Sequence, residues 1–245
     1  MYSSHFWHLL HLYRNKIVRF FILAFFIPIS SFGQEAFQFN LPFSDSKWLH
    51  YGFSIGLHTS SLQLKYSDKF VSQEMDTVHS IMPANAFGFS LGFITDFRLE
   101  DQFNIRILPK VSFYEFPVDY NYTDGSINEQ LIEATFVEIP VLLKYKSERH
   151  KNFRVYFVGG VAPGFEVSGK KRKEQSDNRL LTGDFNVNME LGFGIDMYYP
   201  LFKFSPEIRF SKGLLNLLKE DQYGYSDGIE SLKMNVVTLY LQFSD

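Results

Sequence analysis

Eight times along this chain, large apolar residues alternate one for one with small or polar ones. A period of two puts the two sets on opposite faces of a β-strand, so the chain is bound to a repeated-strand architecture. In the first run Tyr51, Phe53, Ile55 and Leu57 alternate with Gly52, Ser54, Gly56 and His58, and in the second Phe87, Phe89, Leu91 and Phe93 alternate with Gly88, Ser90 and Gly92. Comparable runs lie near 103–116, 133–146, 153–167, 187–199, 202–210 and 232–243. Beyond the first 33 residues no apolar stretch approaches the roughly 20 residues of a membrane helix. Any spanning element there is therefore a strand, and a strand survives in lipid only inside a closed barrel.

The connections alternate in length. Those at 99–102, 147–152 and 199–201 are short, whereas those at 67–85, 119–131, 168–183 and 211–231 are long and polar. Short periplasmic turns and longer external loops are the habit of an outer-membrane barrel. The expected fold is thus an all-β, eight-stranded antiparallel transmembrane β-barrel occupying residues 50–245, with both ends on the periplasmic side. A soluble barrel gives the same alternation, and the small face separates the two. Gly52, Gly56, Gly88, Gly92, Gly160, Gly164, Gly192 and Gly194 share it with Arg106, Glu138, Lys144, Arg154, Glu190, Asp196, Glu207 and Arg209. Mid-strand glycine weakens a water-facing sheet, but in a narrow barrel it leaves room for long charged side chains to cross the interior.

The N-terminal residues fit this destination. Residues 1–33 hold no acidic residue, place Arg14, Lys16 and Arg19 ahead of an apolar run from Phe20 to Ile29, and end in Ser31-Phe32-Gly33. That is the pattern of a secretory signal peptide, too short for a comfortable membrane span, with cleavage before Gln34 and a periplasmic segment at 34–49. Removal of the leader leaves 21 basic against 27 acidic residues, a formal charge of −6, which disfavours nucleic acid as a partner. Aromatic residues make up 18% of the chain, with 28 Phe and 14 Tyr, and lipid is the apolar medium that would receive them. Tyr51, Tyr145, Tyr199, Phe153, Phe243 and Trp48 are placed for an interface girdle.

The eight inward charges form a candidate lumen network. Since an unpaired buried ion is costly, the expectation is structural pairing, with an ion or proton path as the alternative. Leu214, Leu215, Leu217 and Leu218, apolar residues in a long loop, form a candidate partner surface, and the basic run Gly169–Lys173 is a candidate contact for lipopolysaccharide phosphates. Pro140 and Pro163 lie inside strand patterns, where bulges or kinks are expected. No catalytic, cofactor-binding or metal-ligating set emerges: His50, His58, His79 and His150 stand apart, and Ser60-Ser61 near His58 is a common chance pairing.

The stretch Phe136-Val137-Glu138-Ile139-Pro140-Val141-Leu142-Leu143-Lys144-Tyr145-Lys146, followed by Asn152–Tyr156 and Gly159-Gly160, resembles the PorT family. So do His50–Gly56 and Gly88–Gly92 with Leu108-Pro109 after it, and the likeness runs from about 50 to 243. The resemblance implies a non-enzymatic outer-membrane component of the type IX secretion system, required for protein export and for gliding where it occurs, with other secretion proteins and outer-membrane lipid as partners. Two other readings stand beside it: a structural or adhesive small barrel, and a barrel-embedded lipid-modifying enzyme. On the leader itself, Edman sequencing of the protein purified from outer membranes should begin at Gln34; an intact Met1 would overturn the cleavage site.

Overall fold

The computed structural model describes residues 39–71, 78–167, 183–219 and 228–245. The expected signal peptide at 1–33 and the basic run at 169–173 lie outside the described residues.

Among the described residues eleven strands form one antiparallel sheet: β1 (Leu49–Tyr66), β2 (Val78–Pro83), β3 (Ala86–Arg98), β4 (Phe103–Ile107), β5 (Lys110–Tyr122), β6 (Ile127–Glu138), β7 (Val141–Lys146), β8 (Phe153–Glu166), β9 (Phe185–Tyr198), β10 (Lys203–Gly213) and β11 (Ile229–Ser244). The sheet closes on itself, because β11 pairs with β1 and β9 pairs back to β8. Eleven strands make an eight-membered ring for three local reasons. β4 and β5 are one spanning strand interrupted at Leu108-Pro109, β6 and β7 are another interrupted at Ile139-Pro140, and β2 lies outside the ring, pairing only with the far end of β5.

The interruptions are gaps in the ladder, not bulges. Partner numbering between β3 and the broken strand continues without a skip from Thr95↔Ile107 to Gly92↔Lys110. Across the two broken strands it likewise continues from Ile107↔Val141 to Lys110↔Glu138. Proline has no N–H to donate, but its carbonyl still accepts. Leu108 N–H donates to Pro140 O at 3.1 Å, Phe93 N–H to Pro109 O at 2.9 Å and Ile139 N–H to Pro163 O at 2.9 Å. Of the bulges or kinks expected at Pro140 and Pro163, neither is a bulge: the strand is interrupted with intact register at Pro140, and β8 runs unbroken and in register through Pro163. Register shifts occur instead at Lys65/Tyr66 and Val78/Ser80.

The register also fixes the shape of the ring. A path of directly paired residues leaves His50 and passes Asp96, Arg106, Leu142, Gly160, Glu190, Ser211 and Val236 before it returns to β1 at Ser60, ten residues further on. A shear of ten over eight strands corresponds to a tilt of roughly 40° at ordinary strand spacing and rise. Because the offset is even, every residue on that path faces the lumen.

Outside, Phe53, Leu57, Phe89, Phe93, Phe157, Leu191, Phe193 and Phe210 are exposed, as a lipid-facing surface requires. Aromatic rings gather at the short-turn rim, where Phe243 lies 5.0 Å from Phe53, 5.0 Å from Phe204 and 6.0 Å from Phe202, centroid to centroid. The polarity of the two faces then inverts toward the long-loop end. Along β5 the outward residues change from Val111 and Phe113 to Glu115, Asp119 and Asn121, while the inward ones change from Lys110 and Ser112 to Phe116, Val118 and Tyr120. These inward residues join Leu62, Ile81, Phe136, Leu232 and Met234 in a buried apolar cluster at the external end. The segment 119–131, expected as a loop, is consequently a hairpin extension of β5 and β6, turned at Gly125 with φ +85° and closed by Tyr122 N–H donating to Ser126 O at 2.9 Å.

Glycine permits the closest approach at Gly160, where a Cβ would meet the backbone carbonyl of Val141. Gly160→Val should lower the unfolding free energy by about 1–3 kcal/mol, the usual cost of overpacking. Gly159→Ala, whose added methyl meets the end of the Leu191 side chain at 3.1 Å and the Glu190 carbonyl at an ordinary 3.9 Å, should stay near wild type. Urea titration of the two variants in detergent checks the contrast, and equal midpoints would sink it.

Candidate functional site

The inward face of the ring carries a continuous chain of ion pairs. At its short-turn end Asp96 on β3 accepts from Arg106 on β4 in a bidentate pair, Nε to Oδ1 at 2.6 Å and Nη2 to Oδ2 at 2.8 Å. The other guanidinium nitrogen of Arg106 donates to Glu207 on β10 at 3.0 Å and to Gln242 on β11 at 2.7 Å. Glu207 also receives Tyr156 Oη at 2.9 Å and is paired with Arg209. Arg209 continues to Glu190 on β9 at 2.9 Å, and Glu190 meets Lys110 on β5 at 3.5 Å. Lys110 pairs in turn with Glu138 on β6 at 3.2 Å. Seven ionised groups from six strands are thus joined across the lumen.

Neutral groups satisfy what the charges leave over. Glu138 accepts from Ser112 at 2.6 Å, Tyr114 at 3.0 Å and Asn188 at 3.1 Å. Lys110 also donates to Tyr240 at 2.8 Å, and the Arg209 guanidinium stacks 4.3 Å over the ring of Tyr240. Lys144 forms a separate pair with Asp196 at 2.8 Å, supported by Ser205 donating to Asp196 at 2.6 Å, and sits 3.7 Å above the Tyr156 ring. Taking these ions out of water costs several kcal/mol each, and only such geometry repays it.

The structure therefore brings Arg106, Glu138, Glu190, Glu207 and Arg209 into one chain, with Lys144 and Asp196 beside it. It sets Arg154 apart, at the short-turn mouth, where it pairs with Asp45 at 3.0 Å. Sequence reasoning missed Asp96 and Lys110 as members. The signal was present: Asp96 has the parity of Gly88 and Gly92, and Lys110 that of Arg106. The tyrosines gave no such signal, since a mid-strand Tyr reads equally as a lipid-facing aromatic.

Two further sets resolve differently. Leu217 is buried, with its N–H donating to Leu232 O at 2.8 Å, and Leu218 packs half-buried against the external apolar cluster. Leu214 and Leu215 remain exposed. Past the last strand, Asp245 accepts from Lys47 Nζ at 2.8 Å and from the Tyr51 N–H at 3.1 Å. Partial burial works against its ionisation, but these bonds outweigh it and hold the carboxyl below the ordinary carboxylate range. Among the described residues no three His, Cys, Asp or Glu side chains are arranged to hold a metal ion.

A lumen filled in this way braces the wall, and the side chains of the ion-pair chain are almost wholly buried. Arg209→Met should remove one of two cationic partners from both Glu190, which keeps Lys110, and Glu207, which keeps Arg106, and lower stability by about 3–5 kcal/mol. Chemical denaturation in lipid vesicles measures this; a loss under about 1 kcal/mol, the scale of a surface pair, would mean that the chain does not brace the barrel.

A family model described as outer membrane protein beta-barrel domain matches residues 32–219. Among solved structures the chain is similar to the outer membrane protein OprG from Pseudomonas aeruginosa, at 15% identity over 80% of this chain and 95% of that one, with a TM-score of 0.45. It is also similar to Ail, the attachment invasion locus protein of Yersinia pestis, in complex with the heparin analogue sucrose octasulfate (15% identity, 81% and 100% coverage, TM-score 0.34). A third is Neisserial surface protein A (9% identity, 78% and 95% coverage, TM-score 0.37). No curated protein matches the chain.

Proposed function

The chain belongs to the outer membrane protein beta-barrel domain family, and from that premise we propose that this outer-membrane barrel is a non-enzymatic, non-conducting scaffold whose external extension binds surface ligands. One observation carries the reading: polarity inverts along β5, so that in the hairpin at 115–133 the inner face carries Phe116, Val118, Tyr120 and Ile132, with Gln130 and Asn128 toward the tip, and the outer face bears Glu115, Asp119 and Glu129 beside exposed Ile127 and Leu131. A strand pair with water-facing carboxylates outside and an apolar core inside is built to stand above the bilayer. Directly opposed carboxylates, as at Asp119↔Glu129, destabilise a sheet and are tolerated where a surface serves something other than stability. The lumen supplies the other half of the argument, since its bore is occupied by paired side chains and a small barrel leaves no room for a channel besides.

The second reading is an accessory role in type IX secretion, with gliding where that occurs. It rests on the residue pattern Phe136–Lys146 and the Gly159-Gly160 strand that follows, which resemble the PorT family. Secretion proteins would then be the partners, with outer-membrane lipid and lipopolysaccharide around the wall.

One strain pair separates the readings. A gene deletion is complemented either with the intact chain or with a variant in which 117–131 is replaced by a two-residue turn. The scaffold reading expects an unchanged secreted proteome in all strains and loss of surface attachment, measured on ligand-coated plates, in both the deletion and the shortened variant. Disappearance from the medium of cargo with C-terminal sorting domains, restored by the intact chain, would replace it with the secretion reading.

A further inference from the structure

We propose that the wall formed by β10, β11 and β1 docks the phosphate-bearing head of an outer-leaflet lipid, held by Lys212 and Lys233 just above the apolar belt. The register fixes where these lysines stand. Ile208 lies opposite Leu239, and Leu239 opposite Leu57; one step up, Phe210 lies opposite Val237, and Val237 opposite Thr59. These two outward rows are apolar apart from Thr59. The next row, Lys212 opposite Asn235 and Asn235 opposite Ser61, is wholly polar, and Lys233 and Gln63 follow it. The inward residues of β11 exchange over the same step, from Gln242 and Thr238 to Val236, Met234 and Leu232. Three adjacent strands thus place the external interface on this side between the Phe210 row and the Lys212 row.

The patch carries net positive charge. Lys212 is exposed and Lys233 half-buried, and both point outward. They are diagonal neighbours on one face of the β10–β11 pair, about 7–8 Å apart by ordinary sheet geometry, with Asn235 adjoining both. Further from the membrane the Glu230 carboxylate is taken up by Lys65 at 2.7 Å. Among the described residues no carboxylate pairs with Lys212 or Lys233. Their long stems can lie along the wall while the ammonium groups reach the headgroup region.

Charge and depth together choose the occupant. On the membrane side of the lysines lies an exposed apolar strip of Phe210, Val237, Leu239 and Leu57, continuous with the lipid-facing belt. A ligand that covers strip and lysines at once has acyl chains below and an anion above. A phosphate offers several acceptor oxygens to two ammonium donors on adjacent strands. The far wall supplies the contrast. In the eight-membered ring β5 lies across from β10 and β6 across from β11, and there the first outward pair above Phe113 is Glu115 opposite Glu133. That wall repels an anionic head, so the lipid is held on one side of the barrel. The site is separate from the hairpin at 115–133 and does not depend on that hairpin binding anything.

The test uses the full mature chain, purified from outer membranes in an uncharged maltoside detergent. Native mass spectrometry with dioctanoyl phosphatidic acid should show saturable binding. Lys212→Gln and Lys233→Gln should each weaken it roughly fivefold, the worth of one lysine near an anionic surface, and the double variant by more than about tenfold. Glu115→Gln, on the far wall, should bind as wild type does. All four variants should melt with wild type, since each changes a surface side chain with no buried partner. Dioctanoylglycerol, which keeps the chains and lacks the phosphate, should bind no better to wild type than phosphatidic acid does to the double variant. Equal binding of the two lipids, or a double variant that holds phosphatidic acid as wild type does, would overturn the site. Glycerol 3-phosphate should fail to displace the lipid; displacement at equal concentration would make this a seat for a soluble anion and overturn the lipid assignment.

Discussion

The pairing of β11 with β1 is the constraint on which the rest of this structure depends. Lipid offers no partner to an open strand edge, so a spanning sheet has to close, and closure with an even offset makes the inside of every strand the inside of the whole ring. Once that parity is fixed, most side chains divide by it. Phe, Leu, Ile and Val mostly go to lipid, and Gly, Ser and the charged residues go inward, where Ile94, Leu142 and Val158 are the apolar exceptions among the buried residues near the ion pairs. A slip of one residue would turn Arg106, Glu190 and Arg209 onto the acyl chains, at several kcal/mol apiece near the midplane. The hydrophobic pattern and the ion pairs therefore enforce the same register.

The interior shows how a narrow barrel is filled when the medium outside it is apolar. Burying apolar side chains in the lumen gains little at membrane depth, where the lipid is already as apolar as they are. Charge pairs are the stronger cross-braces there, since each spans from one strand to another and holds a defined geometry. Above the membrane the medium is water, and the argument reverses. There the inward residues become Phe116, Val118, Tyr120, Leu232 and Met234, because apolar burial again drives association. One pair of strands carries both regimes end to end, and the point at which the faces exchange, between Phe113 and Glu115, marks the level of the external interface.

Much of this was legible from residue order. The alternation located all eight spanning strands and separated lipid-facing from lumen-facing residues, because a period of two is a local property. The short connections at 99–102, 147–152 and 199–201 were likewise readable as turns. What was not readable depended on context. The 119–131 hairpin reads as a polar loop because Asp, Asn and Glu are common loop formers, whereas Asp119, Asn121 and Glu129 are the outward face of a strand pair in water. Leu217 reads as an exposed partner residue because it lies in a long connection between strands, whereas its neighbours in space are Leu232 and the external cluster. Which of the inward charges meet depended on the shear of ten, a property of the closed ring that no single strand contains.

The same dependence explains why Arg154 stands apart from the other inward charges. It has the right parity, but the tilt of the strands places its position on β8 at the mouth while Arg106 and Arg209 lie deeper. At the mouth the wall supplies more cations than anions, and the N-terminal segment supplies Asp45. Lumen charge is thus balanced by two different means. In the interior, carboxylates on neighbouring strands are fixed in place by the register. At the periplasmic end, part of the balance is carried by a segment that belongs to no strand, through Asp45 on Arg154 and Arg149. The interior is consequently committed to bracing the wall.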